Sequence, residues 1–172
     1  FTAYHYGTQW VRPFLFPVMG PGGKKVTRSY PVATDVEGET NDHPHHKSIW
    51  VAHGECGDVD NWSEQEGHGW QRHRELLACE SGPVFGRIVA RNDWMRPDDK
   101  TKQFEETREI TFYGLPGEAR LIEFAISFHM SEGEVTFRDT KEGGILSVRV
   151  ASEMDVPRTG RIENGYGGIN ED

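Results

Sequence analysis

The sequence predicts an all-β fold, an antiparallel β-sandwich, and three observations predict it. Apolar and polar residues alternate through several segments, short polar turns separate those segments, and no stretch carries a capped apolar stripe at helical spacing.

Taken in chain order, the first 70 residues hold strand-like pieces at 13–18, 26–30 and 48–53. Between them run long polar loops, 31–42 and 54–69, of the kind that are commonly functional or disordered. Residues 70–80 include good helix formers, Arg74-Glu75-Leu76-Leu77-Ala78, but read as a strand in this company. Val84, Ile88, Ala90 and Trp94 then share one parity, with Arg87, Arg91 and Asp93 on the other. Arg108, Ile110 and Phe112 alternate with Thr107, Glu109, Thr111 and Tyr113. Ile122, Phe124, Ile126 and Phe128 alternate with Glu123, Ala125 and Ser127 and should be buried together. Leu146, Val148 and Val150 alternate with Ser147 and Arg149, which predicts that the three apolar residues face the core. Arg96-Pro97-Asp98-Asp99-Lys100, Gly114-Leu115-Pro116-Gly117 and Ser131-Glu132-Gly133-Glu134 supply the turns of a meander.

The 172 residues suffice for one domain with a real core. Nine Phe, five Trp and five Tyr argue against disorder. The net charge of −9 disfavours a nucleic-acid partner and an anionic membrane surface. No apolar run approaches the roughly 20 residues needed to span a bilayer. Cys56 and Cys79 read as two free thiols, with a disulfide as the alternative in an exported protein. The chain opens at Phe1 without a methionine, which points to a missing upstream piece and favours an exported or periplasmic protein.

The densest chemistry lies at Asp42-His43-Pro44-His45-His46, followed by Trp50 and His53. Pro44 favours an extended backbone at His43, so His43 and His45 should share a face and His46 should point away. If the strand continues, His53 joins that face, and His43, His45 and His53 could hold a divalent metal with Asp42 orienting one ligand. A metal-free alternative uses His43, His45 and His46 for hydrogen bonding and proton transfer. Structural histidines remain a third reading.

Asp139-Thr140-Lys141-Glu142-Gly143-Gly144 places Lys141 beside Glu142, a poised acid–base pair or a solvated turn. Trp62 or Trp70 could stack on a sugar ring while Asp42, Asp60 and Arg149 bond its hydroxyls or charges; Trp50, on a strand, belongs in the core. Glu163-Asn164-Gly165 is a hairpin signal.

Three ordered stretches carry a resemblance: Thr27-Arg28-Ser29-Tyr30-Pro31, then Asp42-His43-Pro44-His45-His46-Lys47-Ser48-Ile49-Trp50 with His53-Gly54, then Asp139 to Gly144. Together they resemble a bacterial family of unknown function often labelled "methane oxygenase PmoA". That label denotes a membrane enzyme, and this sequence contains no spanning run. The resemblance implies a sandwich similar to the galactose mutarotase-like proteins, with carbohydrate as its substrate class. It also implies one domain over 1–172, cut short at its C-terminal end relative to longer family members. The sequence departs from the family pattern at Lys47, in place of an arginine, and at Asn61, in place of an aromatic.

The expectation is therefore a carbohydrate-processing or carbohydrate-binding sandwich built on His43, His45, His46, Lys141 and Glu142. The alternatives are a metal-dependent enzyme and a non-catalytic module that binds partners, forms a homo-oligomer or joins a larger assembly.

Overall fold

The computed structural model describes residues 1–117, 119–142 and 145–170. Gly143 and Gly144, part of the second motif, lie outside the described residues. The fold is all-β, with two four-stranded antiparallel sheets. One sheet is long: β4 (Trp70–Glu80), β5 (Phe85–Met95), β6 (Lys102–Tyr113) and β7 (Leu121–His129), in that spatial order. The other is short: β1 (Tyr4–His5), β2 (Phe14–Leu15), β3 (Ile49–Val51) and β8 (Leu146–Val148), ordered β1-β2-β3-β8.

The long sheet is a meander because each of its connections is a local turn. Between β5 and β6, Asp98 accepts from the backbone N–H groups of Lys100 and Thr101 and from the Thr101 hydroxyl, while Arg96 N–H bonds the Thr101 carbonyl at 2.8 Å. Asp99 takes the left-handed conformation there (φ 53°), which Asp tolerates better than most residues. The outer face of this sheet is laced by ion pairs, Arg74 with Asp93 and Glu105, Arg87 with Glu80 and Glu109, and Arg91 with Glu75.

The core lies between the sheets. Leu15, Val18 and Ile49 from the short sheet and its flank meet Ile110, while Val51 meets Trp94 and Phe104. It also contains charge. Glu106 and Arg108, two apart on β6 and so on one side, are both fully buried. Arg108 donates to Glu106, to the Pro13 carbonyl at 3.0 Å and to Gln71 at 3.2 Å, and Trp94 Nε1–H donates to Glu106 at 2.7 Å. None of the side-chain nitrogen and oxygen atoms of Glu106, Arg108, Gln71 and Trp94 is buried without a partner, which is the condition for burying charge.

Four expectations need correction. Residues 26–30 form no strand; Thr27 makes a single bridge to Val150. The 13–18 segment is a strand only at Phe14–Leu15, since Pro17 has no N–H for a ladder. Ile122, Phe124, Ile126 and Phe128 do share the inner face, but each is only half-buried and they divide between two clusters. Leu146 and Val148 have the parity of the core-facing residues they pair with, Val51 and Ile49, yet they are 40% and 49% exposed. The sandwich gapes at this edge strand, because parity fixes which face a residue is on, not whether a layer covers that face.

Candidate functional site

The two central strands of the short sheet, β2 and β3, are buried on both sides, and the site stands on the outer one. On β3, Ile49 and Val51 face the core while Trp50 faces outward, next to its cross-strand partner Phe14. Phe14, Trp50, Ala52 and Trp62 form an outer apolar cluster, extended by Trp10, Phe16 and Val32 from the loops.

The histidines stack on this platform. His46 lies between Trp50, at 5.0 Å and 20° between ring planes, and His43, at 4.7 Å and 8°. His45 meets the edge of His46 at 4.4 Å. All three rings therefore converge, and the expectation that His46 points away is overturned. The reason is a turn: the His46 N–H bonds the His43 carbonyl at 3.1 Å, closing the chain over Pro44 and His45. Alternation holds only along an extended segment, and Ser48, at φ 58°, breaks the strand once more before β3 begins.

The same break removes His53 from the set. Its Nε2 lies 2.8 Å from the Arg138 carbonyl and its ring packs on Phe137. Among the described residues, no three His, Cys, Asp or Glu side chains are grouped to hold a metal ion. The ligand set His43, His45 and His53 is thus not assembled.

A buried charge cluster fixes the histidine turn to the loop opposite. Arg12, 1% exposed, donates to the His45 carbonyl at 3.5 Å and the Ser63 carbonyl at 3.3 Å, and lies 3.9 Å from Glu64. Lys47 donates to the Pro44 carbonyl at 3.2 Å and to Glu64. Burial lowers the pKa of both cations, Arg12 to about 10, and Glu64 opposes the shift in each case. Lys47 is thus a buried tie. Asn61 points inward, its amide 3.4 Å from the Val59 carbonyl and from Gln103.

Two of the three imidazoles, His45 and His46, are biased to the neutral form. Burial lowers the pKa of His46 to about 3, assisted by His45 and His43, and its Nδ1 is buried without a hydrogen-bond partner. His45 is lowered by burial and then by Arg12. Neutral rings offer one donor and one acceptor each.

Opposite them stand Lys141 and Glu142, 3.6 Å apart, with Lys141 almost fully exposed. A cavity of about 530 Å³ is lined by His43, His45, His46, Gln65, Lys141 and Glu142, over Asp60, Trp62 and Ser63. A second lobe of about 420 Å³ shares Asp60, Trp62, Ser63, Lys141 and Glu142 and continues to Glu55, Asp139 and Thr140 beside Gly54. Gly54 is required here, since a Cβ would come within 2.9 Å of Thr140 Cγ2.

Other expected site residues take different places. Asp42 flanks the groove as a charge hub, 3.0 Å from His43 Nδ1, 2.8 Å from Arg149 and 3.5 Å from the buried Arg28. Although burial works the other way, His43 and Arg149 hold its pKa below the usual carboxylate range. Arg149 is thereby committed to Asp42. Asp60 lines the groove but spends its carboxylate on Trp62 N–H, at 2.7 Å, and on Ser63. Trp62 is a floor rather than a stacking platform, 9% exposed and packed on Trp50, His45 and His46. Trp70 lies elsewhere, beside His68 and beneath Arg72. Cys56 is buried, Cys79 is exposed, and both are free.

Sequence reasoning missed Arg12, Ser63, Glu64 and Gln65. Nothing in a loop sequence separates a buried arginine or glutamate from a solvated one; the nearest signal is the Asp60-Asn61-Trp62-Ser63 run, in which an Asp precedes a Ser by three residues as in a side-chain-capped turn.

A family model matches residues 1–172, and the chain belongs to that family, a family of unknown function (DUF6807). No curated protein and no solved structure matched it.

Proposed function

We propose that this member of a family of unknown function binds a carbohydrate in the groove between the histidine turn and Lys141-Glu142, and that the imidazoles move protons on it. The single observation behind this reading is the convergence of His43, His45 and His46, two of them held neutral, across from an ammonium–carboxylate pair in one open polar cavity. A hydroxyl-rich ligand needs many donors and acceptors and little net charge, and neutral imidazoles supply both roles. Lys141 and Glu142 add one proton donor and one acceptor on the far wall, the pairing that epimerisation, elimination or hydrolysis at a sugar carbon requires. The sequence resemblance carried by the three motifs, which implies a sandwich of the galactose mutarotase-like kind, points to the same ligand class.

Saturation-transfer NMR with a panel of neutral sugars tests the reading. A signal is expected for at least one sugar, and His45→Ala should abolish it with little change in Tm, because the His45 ring is half-exposed and its loop is tied down through the backbone carbonyl. Absence of any sugar signal, or a signal that survives His45→Ala, would refute the assignment.

A further inference from the structure

Resting on the carbohydrate reading, we propose that the ligand is a neutral glycan of at least two linked sugar units, one unit in the histidine lobe and the next in the lobe beside Gly54. The argument starts from size. Each lobe alone, at about 530 Å³ and about 420 Å³, exceeds the roughly 300 Å³ at which small-molecule sites begin. The lobes are not separate clefts. They share a boundary lined by Asp60, Trp62, Ser63, Lys141 and Glu142, so a ligand seated in either one abuts the other. A ligand that fills both must be long and must pass across that boundary.

The two lobes also differ in chemistry. The first offers the three imidazoles. The second offers Glu55, Asp139 and Thr140 together with Glu142, a set dominated by hydrogen-bond acceptors. Acceptors suit the hydroxyl hydrogens of a sugar that undergoes no reaction there, and a binding subsite beside a reactive one is what a chain-length requirement looks like. Charge narrows the class further. Glu55, Asp139 and Glu142 outnumber Lys141 in the second lobe, and the whole chain carries −9, so a uronic acid or a phosphorylated sugar would meet repulsion there. Gly54 keeps this lobe in shape, since the 139–142 segment closes onto its bare Cα. The linkage between the two units then lies at the boundary, where Glu142 belongs to both lobes and His45 to the first.

Titration calorimetry on the intact protein tests this. The probes are glucose, galactose and xylose, each beside its own disaccharide and trisaccharide (maltose and maltotriose, galactobiose and galactotriose, xylobiose and xylotriose), with glucuronate as the charged control. For the preferred sugar, affinity should rise tenfold or more from one unit to two. Glu55→Trp, which places bulk in the second lobe from an exposed position, should remove that gain, and its fold is checked by Tm. A disaccharide that binds no tighter than its monosaccharide overturns the inference and leaves the carbohydrate reading standing, as does a gain that persists in Glu55→Trp. Glucuronate binding more tightly than glucose overturns the neutral-ligand part. Binding of no probe at all removes the carbohydrate reading itself, and the inference with it.

Discussion

The two sheets solve the same problem in opposite ways. The long sheet, β4 to β7, has strands of nine to twelve residues joined by local turns and patterned with ion pairs outside and aromatic residues inside. The short sheet has strands of two or three residues, drawn from distant parts of the chain, and is covered on its outer face by loops. The first is held by ladder hydrogen bonds and by the core; the second by that core on one side and, on the other, by aromatic stacking and the buried Arg12–Glu64–Lys47 cluster. A rigid sheet thus backs a layer whose outer face is built of loops, and the candidate site is on those loops, the usual division between scaffold and function.

The comparison is broken most severely from the core. Phe104→Ala, at a fully buried position against Trp94, should cost about 3–5 kcal/mol in denaturant unfolding. Glu106→Ala, which strands the Arg108 guanidinium, should fall in the same range, about 3–5 kcal/mol. Phe124→Ala, at the half-buried edge, should cost about half as much as Phe104→Ala, and an equal loss would mean that the gaping edge is covered in solution. In the short layer, Glu64→Gln leaves two buried cations short of a counter-charge and should cost about 1–3 kcal/mol while weakening sugar binding, which no substitution on the outside of the long sheet should do.

Acid sharpens the contrast. His46 has a folded pKa of about 3 against an ordinary 6.5, so the unfolded chain binds the extra proton between those values. Stability from this residue is therefore full above about pH 6.5 and falls as pH drops towards 3, and His45 and His73, also lowered by burial, act in the same direction. Between pH 7 and pH 4 the urea midpoint of the wild type should fall relative to that of His46→Gln, and a constant difference would contradict the depressed pKa. The smallest effect belongs to the long sheet's exterior, where Arg87→Ala should change stability by less than about 1 kcal/mol.

How legible each region was follows from the same physics. The long sheet could be read because its strands are long enough for alternation to repeat, so Ala90, Trp94 and Ile110 fall inward as their parity requires. A strand of two or three residues cannot show a period, which is why the 26–30 segment reads as a strand and makes only a bridge. In the site, residue types were informative and directions were not. The density of imidazoles and the Lys141-Glu142 pair marked the groove's two walls, but the turn at Pro44-His45 decided that His46 joins, and the break at Ser48 that His53 does not. Trp62 looked like a ligand platform because composition cannot tell an indole whose faces are open from one already packed on Trp50.

β3 has a consequence for how this protein can vary. Its three residues form a partition one strand thick, with Ile49 and Val51 on one side and Trp50 on the other. Substitutions at the outer position act on the histidine stack and the outer apolar cluster, and substitutions at the inner positions act on the core between the sheets. Both sides of that strand are apolar and buried, so the groove's floor and the inter-sheet core share a single strand as their common wall, and a shift of its backbone is felt in both layers at once.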